Sequence, residues 1–336
     1  MKPIRLTSAL AAFAIASQTA IASTAIVLEP APSRPTALPA VLPGEIQIQL
    51  HGHAFSLFTN ADLNQAHPNV EQALLIIHGS EGNADRYFKT GMAVASQIGK
   101  SDTTVVIAPR FKVQTDRPGP TEFSFTDEGW IRGDAALNDS KFGSFDIVDS
   151  LLILLSDRLN FPHLKSIVVT GHSAGGQLTQ RFAIGSSVED SLKEIRIRYL
   201  VVNPGSFAYL NGDRRVSSTL FAIPAGTGNC RYNAYKYGLE NLNAYESRTP
   251  VAEAIPRYLA RDIVYLTGEQ DVLTDGLDNS CEAELQGHTR HERSLNFRAF
   301  LDQDYPAHRH SLLTVPGIGH SEWGMYTSTQ AKQLLF

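Results

Sequence analysis

A pentapeptide in the middle of the chain has the composition of a serine nucleophile site. It reads Gly171-His172-Ser173-Ala174-Gly175, after a β-branched apolar run and before a segment with helical spacing. In this setting a sharp strand-to-helix turn strains the Ser173 backbone and lifts its hydroxyl clear of the sheet. The two glycines let neighbouring backbone approach closely, and the Ala174 amide at the helix start is free to bind an oxyanion. The pattern therefore predicts acyl-transfer chemistry at Ser173, and the alternative is an ordinary glycine-rich turn.

A sheet must hold this serine in place. From about residue 45, short apolar runs alternate with longer amphipathic segments. Continuous apolar runs separated by helices are typical of parallel strands that are covered on both faces. We therefore predict a doubly wound, mostly parallel α/β sheet. The predicted strands are 45–50, 54–58, 73–77, 104–108, 166–170, 199–202, 263–267 and 312–315, and the predicted helices are 144–159 and 175–184.

The serine motif in its strand–turn–helix setting resembles that of the α/β-hydrolase superfamily, and the resemblance covers about residues 45–336. The superfamily orders its catalytic triad as nucleophile, acid and histidine, each on a loop after a strand. The resemblance implies that Asp271, in a Gly-x-x-Asp turn after strand 263–267, is the acid. It also implies that His320, in a glycine-rich loop after the last strand, is the base. Three neighbouring carboxylates remain alternatives for the acid: Glu269, Asp275 and Asp278.

The same resemblance implies a second oxyanion donor and a cap. The superfamily places a His-Gly turn after its third strand, where this chain reads His78-Gly79-Ser80. By position the backbone N–H of Ser80 is the donor, with that of Gly79 as the alternative, and His78 fixes the loop. Residues 204–260 occupy the place where the superfamily carries cap insertions. Six of the eleven tyrosines lie there, and they either stack on substrate or form the small core of the cap.

The first residues have the form of a secretory signal peptide. Two cations precede an apolar run of small residues. We predict cleavage after Ala22, with Ala25 as the alternative, so that residues 1–22 are removed and the protein is secreted or periplasmic. A membrane anchor is disfavoured because the run is interrupted by polar residues and is shorter than the ~20 apolar residues of a span. A proline-rich stretch then predicts a linker at 23–44, ahead of one domain at 45–336.

The chain has two tryptophans and two cysteines. Trp130, on a long polar loop, and Trp323, close after the candidate base, are candidates for lining the substrate pocket. Packing along the loop is an equally good interpretation of Trp130. Cys230 lies in the insertion, and Cys281 follows the candidate acid. Because an exported chain with two cysteines most simply pairs them, we predict a Cys230–Cys281 disulfide bond.

Composition and charge exclude several classes of protein. The 336 residues are 43% apolar and 19% charged, which argues against a disordered chain. The net charge of −5 becomes −7 without the two cations of the signal peptide. The sequence has no run of basic residues of the kind that binds nucleic acid. The histidine pairs His51/His53 and His288/His291 lack a third ligand nearby, so we expect no metal and no cofactor. No sequence feature indicates an oligomeric state.

Together these residues predict a secreted serine hydrolase. Its substrate would be a small-molecule, polymeric or plant-derived ester, cleaved through an acyl-enzyme on Ser173 with His320 as base and Asp271 as orienting acid. Exported members of the superfamily with a similar serine motif include esterases and depolymerases. Ester cleavage is expected over amide cleavage because an alkoxide leaves more easily. The alternatives are a peptide or polyamide hydrolase with the same triad and, less favoured, a non-catalytic binding protein on the same fold.

Overall fold

The computed structural model describes residues 44–192 and 194–336. The predicted signal peptide and all but the last residue of the predicted linker lie outside the described residues. Eight strands form the main sheet, and they are β1 (Ile46–Leu50), β2 (His53–Thr59), β3 (Gln72–Ile77), β4 (Thr104–Pro109), β5 (Ser166–His172), β6 (Arg196–Val202), β7 (Asp262–Gly268) and β8 (Ser311–Val315). The helices are α1 (Ala84–Gln97), α2 (Gly129–Arg132), α3 (Ser144–Leu155), α4 (Ala174–Gly185), α5 (Val251–Ala260), α6 (Cys281–Glu284), α7 (Arg290–Asp304), α8 (Glu322–Tyr326) and α9 (Thr329–Leu335).

The strand order across the sheet is β1-β2-β4-β3-β5-β6-β7-β8. Strand β2 is antiparallel to both of its neighbours, and all other pairs are parallel. This confirms the predicted α/β architecture. Because parallel strands end at the same edge, the carboxyl ends of β3, β5, β7 and β8 bring their following loops together. The register shows this directly, since Ile77 pairs with Gly171 and Gly268 pairs with Val315.

Helices cover both faces of the sheet, and the alternation of side chains along each strand assigns the two cores. In β3, Leu74 and Ile76 join the core beneath α1, α8 and α9, whereas Leu75 and Ile77 join the core beneath α3, α4, α5 and α7. Strands that are buried on both faces must be apolar throughout, which explains the continuous runs in the sequence. Within the two described ranges, no helix has the length and apolar character that crossing a membrane requires.

The structure corrects the predicted helix at 144–159. Helix α3 ends at Leu155, and Leu159 is 83% exposed. The hydroxyl of Ser156 donates to the Ile153 carbonyl, and the Asp157 carboxylate accepts the Leu159 N–H. Short polar side chains that bond to nearby backbone favour turns over helix, so the apolar spacing alone placed the helix end too late.

The segment 204–260 is largely irregular and contributes α5 to the helical layer. A small hairpin, Arg214–Arg215 with Phe221–Ala222, and a 3₁₀ turn at Glu246–Arg248 interrupt it. Three of its tyrosines are buried in the main core: Tyr209, Tyr245 and Tyr258. These rings therefore act as core residues. The role of the segment as a cap over the site stays a prediction.

Candidate active site

Ser173 occupies a tight turn between β5 and α4. Its backbone has φ 59° and ψ −116°, a conformation that side-chain-bearing residues rarely adopt. A Cβ at Gly171 would lie 2.3 Å from the Gly175 carbonyl oxygen, and a Cβ at Gly175 would lie 2.5 Å from the carbonyl oxygens of Ile77 and His78. Both glycines are therefore required for this turn to pack against β3. The strain and the close packing hold the Ser173 hydroxyl at the carboxyl edge of the sheet.

His320 lies between Ser173 and Asp271. Its Nε2 is 3.0 Å from Ser173 Oγ, and its Nδ1 is 2.8 Å from Asp271 Oδ2. Because an ionised carboxylate only accepts hydrogen bonds, Nδ1 carries the proton and Nε2 is free to accept the hydroxyl proton of the serine. The Asp271 side chain is fully buried, and that of His320 is 29% exposed. The arrangement can deprotonate the serine as it attacks and can stabilise the resulting imidazolium.

The structure distinguishes Asp271 from the other three carboxylates. Glu269 accepts the N–H of Gly317. Asp278 accepts the Tyr237 hydroxyl, and Asp275 lies on the cavity wall. Of these four carboxylates, only that of Asp271 bonds His320.

The loop after β3 is fixed by a buried histidine. His78 Nε2 accepts the N–H of Phe111 at 3.1 Å, so Nδ1 carries the proton and donates to the Gly79 carbonyl at 2.7 Å. Burial lowers the pKa of His78 to about 4, which keeps the ring neutral. His78 therefore holds the loop that carries Gly79 and Ser80, both of which line the cavity at Ser173. Ala174, the other candidate oxyanion donor, is the first residue of α4 and directly follows Ser173.

The cavity beside Ser173 has a volume of about 340 Å³. Its walls come from the loop after β3, the first turns of α1, the acid loop and the loop around His320. Neither tryptophan is among the lining residues. Trp130 is 2% exposed and stacks on Phe111 at 5.5 Å, behind the loop that His78 fixes. Trp323 is 47% exposed, and its role in a substrate pocket stays a prediction.

Two ion pairs flank the site. Arg86 forms a two-pronged pair with Glu322, at 2.5 and 2.7 Å, on one wall of the cavity. Arg290 is buried, and its Nη1 lies 3.7 Å from Oδ1 of Asp271. Among the described residues, this carboxylate oxygen has no hydrogen-bond partner. This guanidinium also reaches the Leu273 carbonyl at 3.3 Å. Arg290 thus balances the buried charge of Asp271 and holds its loop.

The sequence interpretation missed a polar network behind the triad. The Asn203 side chain accepts the N–H of Gly268 at 2.8 Å and donates to the Gly319 carbonyl at 3.3 Å. It also lies 3.5 Å from Nε2 of His172, whose ring packs at a tilt against that of His320, with the centroids 4.5 Å apart. Burial, followed by the nearby charges of His320 and other cations, holds the pKa of His172 well below its ordinary value. Asn203 directly follows β6, and a polar residue at that position is the signal that could have revealed it.

The described residues offer one group of three candidate metal ligands, Cys230, Cys281 and Glu282. The two cysteines are joined in a disulfide bond, as predicted, across a sequence separation of 51 residues. Their sulfurs are therefore not available as thiolate ligands. In the two histidine pairs considered as metal ligands, one histidine of each contacts a carboxylate. His53 pairs with Asp139, and His288 pairs with Glu284.

No family model matches the chain, and no curated protein matches it. Solved structures do match. A poly(3-hydroxybutyrate) depolymerase from Bordetella parapertussis aligns with a TM-score of 0.60 at 20% identity, over 87% of this chain and 90% of that one. Poly(aspartic acid) hydrolase-1 from Sphingomonas sp. KT-1 aligns with a TM-score of 0.61 at 20% identity, over 87% of this chain and 97% of that one. With its strand order and these two structural likenesses, the chain has the α/β-hydrolase fold.

Proposed function

We propose that this protein is a serine hydrolase that cleaves esters through an acyl-enzyme on Ser173. The observation that carries the proposal is the unbroken hydrogen-bonded series from Ser173 Oγ through His320 to the buried Asp271. Nucleophile, base and orienting acid within hydrogen-bond reach are the signature of covalent acyl transfer.

Acylation follows from the geometry. Ser173 Oγ attacks the acyl carbon while its proton moves to His320 Nε2, and the electron pair of the carbonyl moves onto oxygen. The backbone N–H groups of Ala174 and Ser80 are the proposed donors to that oxyanion. As the intermediate collapses, the bond to the leaving oxygen breaks, and His320 returns its proton to that oxygen. The Asp271 carboxylate stabilises the imidazolium between these two transfers.

Deacylation repeats the sequence with water. His320 lies at the cavity and is partly exposed. It takes a proton from a water molecule while the oxygen of that water attacks the acyl carbon. Collapse then releases the acid and returns the proton to Ser173 Oγ. The cavity walls are rich in polar groups from Glu81, Asn83 and Asp275, so the site can solvate the hydrolytic water.

The substrate class is proposed as a carboxylic ester, with polymeric esters included. The two similar structures are named for hydrolysis of a polyester and of a poly(amino acid), so a polyamide hydrolase with the same triad is the second candidate. The disulfide is compatible with action in an oxidising compartment outside the cytoplasm. Ester cleavage remains the first choice because the alkoxide leaving group needs less assistance than an amine.

The deciding experiment measures hydrolysis of p-nitrophenyl esters and matched anilides, beside emulsions of poly(3-hydroxybutyrate) and solutions of poly(aspartic acid). A fluorophosphonate probe should label the wild type at Ser173, and Ser173→Ala should lose both the label and the activity. Ser80→Ala is the matched control, because its backbone N–H is kept, and it should remain close to wild type. Absence of labelling and of all hydrolysis would favour a non-catalytic binding protein, and faster cleavage of the anilide would favour the amide hydrolase.

A further inference from the structure

A tyrosine hydroxyl lies beside the loop that holds the candidate oxyanion donor. Tyr87 projects from α1 and is 4% exposed, yet it lines the cavity at Ser173. Its Oη is 3.0 Å from the point where a Cβ on Gly79 would stand, and the same point is 3.8 Å from the Ser173 Cβ. The hydroxyl and the nucleophile therefore face the same small volume.

The direction of the Tyr87 hydrogen follows from the network behind it. Asn203 is oriented by the N–H of Gly268, which its Oδ1 accepts, so its Nδ2 faces His172 Nε2. That nitrogen must accept, because an amide NH₂ only donates. His172 is fully buried, and its depressed pKa keeps the ring neutral. The ring proton therefore resides on Nδ1, which donates to Tyr87 Oη at 3.2 Å.

Tyr87 is left with a proton to give. Burial and then the nearby charge of Glu322 raise the pKa of Tyr87, while the Gly79 N–H lowers it by facing the phenol oxygen. The oxygen accepts the hydrogen bond of His172, and the group stays a neutral phenol. Among the residues described, no acceptor is left for its own proton. A buried donor without a partner is costly, and the open direction is the cavity.

We propose that Tyr87 is a catalytic residue whose hydroxyl donates a hydrogen bond to the acyl oxygen in the tetrahedral intermediate. The inference rests on the proposed function. When Ser173 attacks, the carbonyl electron pair moves onto oxygen, and that oxyanion accepts hydrogen bonds from two backbone N–H groups and from Tyr87. The proton stays on Tyr87 throughout. His172 and Asn203 are positioning residues, since they fix which way the phenol hydrogen points.

The test is Tyr87→Phe, which keeps the ring and removes the hydroxyl. Loss of one oxyanion donor costs ~10²–10³ in kcat where such donors have been removed. With two backbone donors retained, we expect kcat to fall by at least about tenfold with KM nearly unchanged. Butylboronic acid forms a tetrahedral serine adduct, so its inhibition constant should rise by about the same factor as kcat falls.

Tyr326→Phe is the matched control. Its ring packs edge-on against Tyr87 at 6.5 Å, and its buried hydroxyl bonds Thr170 instead of facing the cavity. It should lose stability without the selective loss of kcat and boronate affinity. The inference is overturned if Tyr87→Phe stays within about twofold of wild type, if boronate affinity is unchanged, or if Tyr326→Phe shows the same loss. A wild type that hydrolyses no ester and is not labelled overturns the proposed function first, so the two failures are distinguishable.

Discussion

Replacing Asp271 with asparagine tests the triad more sharply than removing the serine. Asp271 Oδ2 accepts the Nδ1 proton of His320 at 2.8 Å, and Oδ1 faces the donors of Arg290 at 3.7 Å. In Asp271→Asn the amide must place one oxygen and one NH₂ at these two positions. A guanidinium only donates, so the amide oxygen turns to Arg290 and the NH₂ turns to His320.

That orientation reverses the tautomer of the base. His320 Nδ1 would accept the amide proton, and its own proton would move to Nε2, which faces Ser173 Oγ. The imidazole then cannot accept the serine proton. The same substitution in a serine protease triad lowers kcat by about 10⁴, which corresponds to about 5–6 kcal/mol of barrier. We expect a loss of that order with little change in folding, because the side-chain volume is kept.

The assay is kcat for a p-nitrophenyl ester, with folding checked by thermal denaturation. Asp275→Asn is the matched control, since it removes a carboxylate from the same cavity wall and leaves the contact with His320 intact. It should keep kcat within about threefold of wild type. A variant Asp271→Asn that retains more than a tenth of the wild-type kcat, or an equal loss in Asp275→Asn, would refute the reasoning.

Three further predictions concern stability. Cys281→Ser removes the Cys230–Cys281 disulfide bond, whose 51-residue separation predicts a loss of about 4 kcal/mol in the free energy of unfolding. In a denaturant titration the reduced wild type should unfold at the same midpoint as this variant. A midpoint equal to that of the oxidised wild type would contradict the prediction. Gly175→Ala forces a Cβ to 2.5 Å from two carbonyl oxygens of β3 and its loop, and it should cost at least about 2–3 kcal/mol. Gly119→Ala, with its nearest atom at 3.9 Å, should be tolerated. Burial lowers the pKa of His310 to about 4, so the stability it contributes is complete above about pH 6.5 and is lost as the pH falls to 4. The difference in unfolding free energy between wild type and His310→Gln should therefore shrink by about 3 kcal/mol between pH 7 and pH 4, and a constant difference would count against this assignment.

The strands could be predicted because burial on both faces leaves them no polar positions. Helix α7 could not be recognised in the same way. Its buried face carries Arg290, Arg293, Ser294 and Asn296 beside only a few apolar side chains, so its sequence shows no apolar stripe of helical period. Arg293 is fully buried because its guanidinium donates to the carbonyls of Gly205 and Gly287. Such tertiary bonds stabilise the helix and leave no local signal.

The candidate triad could be located because each member follows a strand and therefore carries its position in its local sequence. The direction in which a side chain points was harder to infer from the sequence than the position of its residue in the fold. Trp130 is close to the site in space, but its ring points into the core against Phe111 and His78. A residue number near a candidate site does not say which side of a loop its side chain occupies, and only packing decides that.

The partners of the triad escaped prediction for a related reason. Strand ends at the sheet edge leave backbone N–H and C=O groups that must be satisfied, and here a side chain from the loop after another strand satisfies them. Asn203 accepts the N–H of Gly268, where the loop that carries Asp271 begins, and donates to the carbonyl of Gly319, the residue before His320. The same amide sets the tautomer of His172, the residue before the nucleophile. One side chain after β6 thus connects the three loops that bear Ser173, Asp271 and His320, so the positions of these three residues are coupled through the edge of the sheet.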